Sequence, residues 1–205
     1  VIVGIIRNDN GILPRSHEHM LPGDDVYFVC DSSHLTRAMS AFGHEEEEGR
    51  NLIIAGGGNI GLTLAQEIEE DHVGVRARVI EFGEERAKSV AQQLNQTMVI
   101  NGDVLDMEIL EEANAENTET FVAVTNDDEV NIIGSSLAKK AGVKRTIALV
   151  NKHSYVQIIN QLGIDAVVNP RMITVSSILQ HVRRGRIRGI YSVREDFGEV
   201  IEAEA

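Results

Sequence analysis

The sequence holds one cysteine, Cys30, so an internal disulfide framework is excluded and the usage suits a reducing compartment. No apolar run approaches the ~20 residues a helix needs to span a bilayer, and no signal-peptide pattern is visible. Basic residues are scarce: 19 Lys and Arg stand against 32 Asp and Glu, a formal charge of −13. Such an anionic surface repels phosphate backbones, which excludes general nucleic-acid binding. The one basic cluster, Arg183, Arg184, Arg186 and Arg188 in "VRRGRIRG", reads as a solvated helix end whose cations complement the helix dipole. Acidic lipid head groups or a partner are its alternative use. Metal-ligand sets are also missing. His17 and His19 in "SHEHM" would share one side of a strand, but a structural zinc site wants four ligands and no cysteine joins them. His34, His44, His72 and His181 are scattered, and Cys30 sits in an apolar strand-like run that we expect in the core.

What is present is ordinary globular material. A length of 205 residues, 42% hydrophobic and 25% charged, fits one or two domains with a real core. The chain opens on Val1 rather than methionine, which reads as a piece of something longer. Residues 1–43 offer two β-like runs separated by turn chemistry at Asn10-Gly11 and Pro22-Gly23, then a short helix capped by Ser32 or Ser33. Residues 44–50 carry four consecutive glutamates and read as an acidic linker or solvated turn.

From Asn51 the pattern alternates between strand and helix. "NLIIA" is a continuous apolar run, as expected of a strand buried on both faces. Ile60, Leu64, Ala65 and Ile68 follow at helical spacing. Further strands are predicted at "ARVIEF", "TMVIN", "ETFVAVT", "RTIALV" and "DAVVNP". Between them, Ala87, Val90, Ala91 and Leu94 mark one helix; Val130, Ile133, Leu137, Ala138 and Ala141 mark another; Ile158, Ile159 and Leu162 mark a short one. Met172, Val175, Leu179 and Val182 mark the last helix, whose apolar stripe we expect in a homodimer contact as readily as against its own sheet. Six such units predict an α/β fold with a doubly wound parallel sheet. After Gly185 the pattern reverts to strands at "IRGIYSV" and "EVIEAEA", joined by "REDFG".

Gly56, Gly58 and Gly61 fit G-x-G-x-x-G between a buried strand and a helix. One glycine permits the tight turn, one lets backbone approach a pyrophosphate, and one lets helix and strand pack closely. The helix N-terminus, with Asn59 and Ile60 in its first turn, directs free N–H groups at a bound anion. Glu81 ends the second strand about 20 residues past the last glycine, where a carboxylate accepts from ribose hydroxyls and repels a 2′-phosphate. That favours NAD(H) over NADP(H), with ATP or ADP also admitted. Asp103 lies where an adenine ring would rest, and "VTNDDEVN" lies near the path of phosphates and nicotinamide. Asp106 and Asp127 read as helix caps.

Groups for catalysis are thin. Lys152 and His153 stand at the end of the fifth strand, but Ile159 stands four residues after Tyr155, so the Tyr-x-x-x-Lys pair of short-chain reductases is absent. Only 35 residues follow Pro170, too few for a catalytic domain of ordinary size. We expect a non-enzyme with no catalytic or metal residues. The alternatives are an NAD-dependent oxidoreductase, or an interaction module whose nucleotide site has decayed.

Together "IIAGGGNIG", Glu81, "INGD", "VAVTNDDEVNI", "SLAKKAGVKRTIALVNKHSYVQIINQLGIDAVVNPRMITVSSILQHVRRG" and "EVIEAEA" resemble the TrkA family. Its members are cytosolic regulatory subunits of bacterial Trk-type potassium uptake systems, built from RCK or KTN domains. The resemblance implies a Rossmann-like RCK N domain at 51–185, a partial RCK C domain at 1–43 and the start of another at 186–205. It implies Gly56, Gly58 and Gly61 for the pyrophosphate, Glu81 for ribose, Asp103 and Val104 beside adenine, and Thr125 facing the phosphates. It further implies a membrane-embedded potassium transporter as partner, a homodimer or dimer of dimers, and a cytoplasmic location against the inner face of the membrane. Many relatives carry an arginine at the end of the fifth strand where this chain has Asn151, which weakens the case for highly charged ATP.

Overall fold

The computed structural model describes residues 1–8, 10–43, 49–72, 74–155, 159–182, 187–192 and 199–203. They fall into two compact units, Glu48–Met172 and the pair Val1–Glu47 with Ile173–Ala205. The chain begins with an antiparallel sheet of order β2-β1-β3, from β1 (Ile2–Arg7), β2 (Asn10–Ile12) and β3 (Asp25–Phe28). The first turn is not at Asn10-Gly11, since both residues lie in β2. It falls at Asn8, whose φ of 50° is one that asparagine tolerates. The turn at Pro22-Gly23 is as expected, with Gly23 at φ 91° and the Asp24 N–H donating to Leu21 O over 3.1 Å. Helix α1 (Leu35–Ala41) follows a single 3-10 turn, and its entry is organised by Asp31, which accepts from the Ser33 N–H, rather than by a serine cap. Cys30 is exposed, because β3 ends at Phe28 before reaching it.

The second segment is the doubly wound sheet. In chain order its elements are β4 (Asn51–Ala55), α2 (Asn59–Asp71), β5 (Arg76–Glu81), α3 (Glu84–Ala91) and β6 (Met98–Asn101). Then come α4 (Met107–Glu112), β7 (Thr120–Ala123), α5 (Asp128–Lys140), β8 (Arg145–Leu149) and β9 (Ala166–Val168). All six strands pair in parallel in the order β6-β5-β4-β7-β8-β9. Consecutive residues of β4 point to opposite faces. Ile53 and Ala55 join Phe121, Leu110 and Ala138 under α4 and α5, and Ile54 joins Val79, Ala65 and Val90 under α2 and α3. Both faces are therefore covered, which explains why β4 has no polar alternation. The order reverses about β4, and the switch point between β4 and β7 is where such sheets open a crevice.

Helix α5 keeps most of the expected stripe, with Ala138 buried and Val130, Leu137 and Ala141 packed against the same core. But Ile133 is 49% exposed, and Asp128, Asn131, Ile132, Gly134 and Ser135 are buried as well. Ile60 on α2 is likewise half exposed. The short predicted helix is a 3-10 turn at Asn160–Leu162, with Ile159 buried just before it, Leu162 exposed and Ile158 outside the described residues. Helix α6 (Pro170–Val182) leaves Ile173, Val175 and Ile178 exposed, and β10 (Ile187–Ser192) pairs antiparallel with β11 (Glu199–Ala203). The acidic run at 44–48, the arginines at 183–186 and the "REDFG" connection lie outside the described residues.

One carboxylate ties α2 to the opposite loop. Glu69 accepts from the N–H groups of Asn95 (2.9 Å), Gln96 (2.7 Å) and Thr97 (2.6 Å). Burial acts to raise this carboxyl, but the backbone donors outweigh it and bring it down to about 2 from an ordinary 4.5. A depressed pKa contributes stability above the unfolded value and loses it as pH falls through the folded one. Glu69→Gln is expected to lower stability at pH 7 by about 1.5–3 kcal/mol. The gap to the original chain should close between about pH 4.5 and pH 2 in urea titrations. A gap independent of pH would exclude the ionic contribution.

Candidate functional site

A crevice of about 920 Å³ lies along the carboxyl ends of β4, β5, β6, β7 and β8. Of the residues assigned from sequence, Gly56, Gly58, Asn59, Ile60, Glu81, Asp103, Val104 and Thr125 line it; Gly61 stands behind.

The turn from β4 into α2 needs its glycines for three separate reasons. Gly56 has φ 106°, and an added Cβ would meet Thr125 N at 3.0 Å. Gly61 packs so tightly that a Cβ there would overlap the Gly56 carbonyl oxygen. Gly58 borders open space within the crevice, so a side chain there would fill room that a ligand could use. Gly58 is also the N-cap of α2, supplies no capping side chain, and is followed by a first turn without acidic residues. By contrast, α4 and α5 are capped by Asp106 and Asp127, and α3 has Glu84 and Glu85 in its first turn. The positive end of α2 is therefore left for an outside anion.

Glu81 closes one side of this turn. One carboxylate oxygen accepts from the Gly57 N–H at 2.7 Å and the other from the Gly83 N–H at 2.8 Å. Each oxygen keeps a further lone pair for a hydroxyl donor. Arg86 donates from Nε to Gly57 O at 2.7 Å and also lines the crevice. Asp103 is exposed, with Oδ1 accepting from the Leu105 N–H, and Val104 is buried against Gly134 of α5.

The opposite wall is held by buried polar groups. Asn131 is fully buried; its oxygen accepts from the N–H (2.9 Å) and hydroxyl (2.7 Å) of Thr125, and its amide donates to Thr125 O and Leu149 O. Thr125 thus meets the crevice with both of its donors already engaged. Asp128 accepts from the Asn151 and Lys152 N–H groups and from the Asn151 amide. Burial pushes its carboxyl upward, but those donors prevail and it lies below the ordinary carboxylate range.

Residues 52–170 match the model of the TrkA-N domain. The chain belongs to the TrkA-N domain family. A relative, the Trk system potassium uptake protein TrkA of Azorhizobium caulinodans, is 48% identical over 204 residues, covering 100% of this chain and 44% of its own length. The chain thus spans less than half of that relative. Among solved structures, the GsuK channel bound to NAD superposes with a TM-score of 0.58 at 17% identity, over 75% of this chain and 27% of that one. The Kef CTD of Shewanella denitrificans in AMP bound form gives 0.55 at 17% identity, over 64% and 79%. At these identities the likeness speaks for the fold.

Within this TrkA-N domain, Lys152 does not line the crevice; its Nζ pairs with Glu129 at 2.8 Å, and the Tyr155 hydroxyl donates to the same oxygen. The bond from Lys152, and then that from Tyr155, hold Glu129 down at about 2, and Glu129 in turn raises Lys152. A lysine so raised is poorly matched to proton transfer near neutrality. The His153 side chain lies outside the described residues. Sequence reasoning missed Phe82, Arg86 and Asn131. The first two follow Glu81 closely, and Asn131 had a signal: a polar residue on the buried side of a helix must find partners.

Proposed function

We propose that this TrkA-N domain is a nucleotide-sensing regulatory module that binds NAD(H), or another adenine nucleotide, without turning it over. One observation carries the reading: the bare positive end of α2 at Gly58, with the Glu81 carboxylate beside it, faces one crevice of suitable size. The GsuK channel bound to NAD and the AMP-bound Kef domain, whose folds are similar, support a nucleotide in that place. Glu81 favours NAD(H) over a 2′-phosphorylated ligand by like-charge repulsion. Pyrophosphate would rest on the turn of Gly56, Gly58 and Gly61, and the adenylate side near Asp103 and Val104.

The whole protein then acts as a cytoplasmic subunit, peripheral on a membrane-embedded Trk-type potassium transporter, and its occupancy biases the transporter's gate. The potassium uptake name of the Azorhizobium relative supports this. Among the described residues no helix is long and apolar enough to cross a membrane. The exposed apolar residues Ile173, Val175 and Ile178 of α6 suit a homodimer contact. Flanking segments 1–43 and 186–205 are parts of RCK C domains in this reading. A ligand shifts such an assembly only by its differential affinity for two states, and a swing from mostly off to mostly on takes about 5 kcal/mol shared across the sites.

Glu81→Gln tests the ribose contact while keeping one of the two acceptor oxygens that hold the turn. Calorimetry should show NADH binding about tenfold weaker. Unchanged affinity would remove Glu81 from the site.

A further inference from the structure

Phe82 is the first residue past β5, and its side chain is 78% exposed although it lines the crevice. Its backbone is not loose. Asn101 donates its side-chain amide to both Glu81 O (2.9 Å) and Phe82 O (3.0 Å), and the Gly83 N–H is held by Glu81 at 2.8 Å. A fixed backbone thus presents an aromatic ring to solvent at the end of β5, beside the carboxylate assigned to ribose. Arg86 lines the same end, pinned through Nε to the glycine turn. A large apolar ring held in the open beside a sugar-binding carboxylate suits a planar, apolar-faced ligand group.

We propose that Phe82 is the stacking platform for the adenine base, so that the ligand is gripped by its adenylate half. The inference rests on the nucleotide reading above. Stacking uses the face of a base rather than its edge, so AMP, ADP and NAD(H) share this platform and compete for one site. Arg86 adds a planar cation at the same end, where it meets the base or the first phosphate.

The test uses the whole chain. Because the Phe82 side chain is mostly exposed, Phe82→Ala should fold normally by circular dichroism. It should bind AMP and NADH roughly tenfold to a hundredfold more weakly in calorimetry. Phe82→Trp should keep affinity within a few-fold. Since the chain has no tryptophan, that single indole reports directly: AMP should change its emission, and ribose 5-phosphate, which lacks a base, should not. AMP binding by Phe82→Ala within twofold of the original chain overturns the platform, as does an indole blind to AMP that calorimetry shows to be bound. If Glu81→Gln weakens NADH while Phe82→Ala does not, the nucleotide reading stands and the platform falls. If the original chain binds neither nucleotide, both fall together.

Discussion

Gly61→Ala is expected to lower the thermal midpoint by about 6–12 °C and to remove nucleotide binding. The added Cβ would overlap the backbone oxygen of Gly56, which cannot swing aside as a flexible side chain would. Gly56 is itself fixed, since its N–H donates to Ile80 O at 2.8 Å and Thr125 leaves no room for even a Cβ on it. Overpacking of a close contact destabilises by about 1–3 kcal/mol, and we expect the upper end because backbone must move. For a chain of this size each kcal/mol shifts the midpoint by roughly 2–4 °C. Gly58→Ala provides the contrast. Its Cβ meets nothing within 4 Å, so stability should change by less than about 1 kcal/mol. Affinity should still fall at least tenfold, because the methyl group occupies the ligand's approach. A Gly61→Ala chain that melts with the original would show that the helix can slide away from the turn.

Asn131→Ala is expected to destabilise by about 2–4 kcal/mol and to loosen the wall of the crevice formed by Thr125 and Leu149. The residue is fully buried and its amide is joined to Thr125 twice as acceptor, once as donor, and to Leu149 O once as donor. Truncation removes four hydrogen bonds at once, one of them buried and three part-buried, and a buried polar group left unmet costs about 1–3 kcal/mol. Relaxation of Thr125 toward Asp127, whose N–H already reaches the Thr125 hydroxyl at 3.2 Å, recovers a part. Urea unfolding measures the loss. A change under about 0.5 kcal/mol would mean that water replaces the amide without penalty.

The fold was legible for a simple reason. Strand β4 is covered on both faces, so it appears as an unbroken apolar run, and the glycine turn announces the first crossover. Glu81 was readable because its distance from the turn is set by the length of one helix and one strand. What could not be read depends on exceptions to apolar periodicity. Asn131 and Asp128 occupy the buried side of α5, where a search for apolar stripes counts Ile133 instead, yet Ile133 is exposed. Phe82 continues an apolar run and so reads as the end of a strand, whereas the strand stops at Glu81 and the ring is exposed. Cys30 reads as a core residue for the same reason and is also exposed. The first hairpin turned at Asn8 rather than Asn10, since pairing of Ile5 with Ile12 sets the register and puts Gly11 in the strand.

The most direct test is equilibrium titration of the chain with NADH, followed by recovery and chemical assay of the ligand. Saturable binding with the NADH returned unaltered, and competition by AMP or ADP, is the expected result. Absence of saturable binding by every adenine nucleotide tried, or steady oxidation of NADH when metabolites are supplied, would contradict a nucleotide sensor.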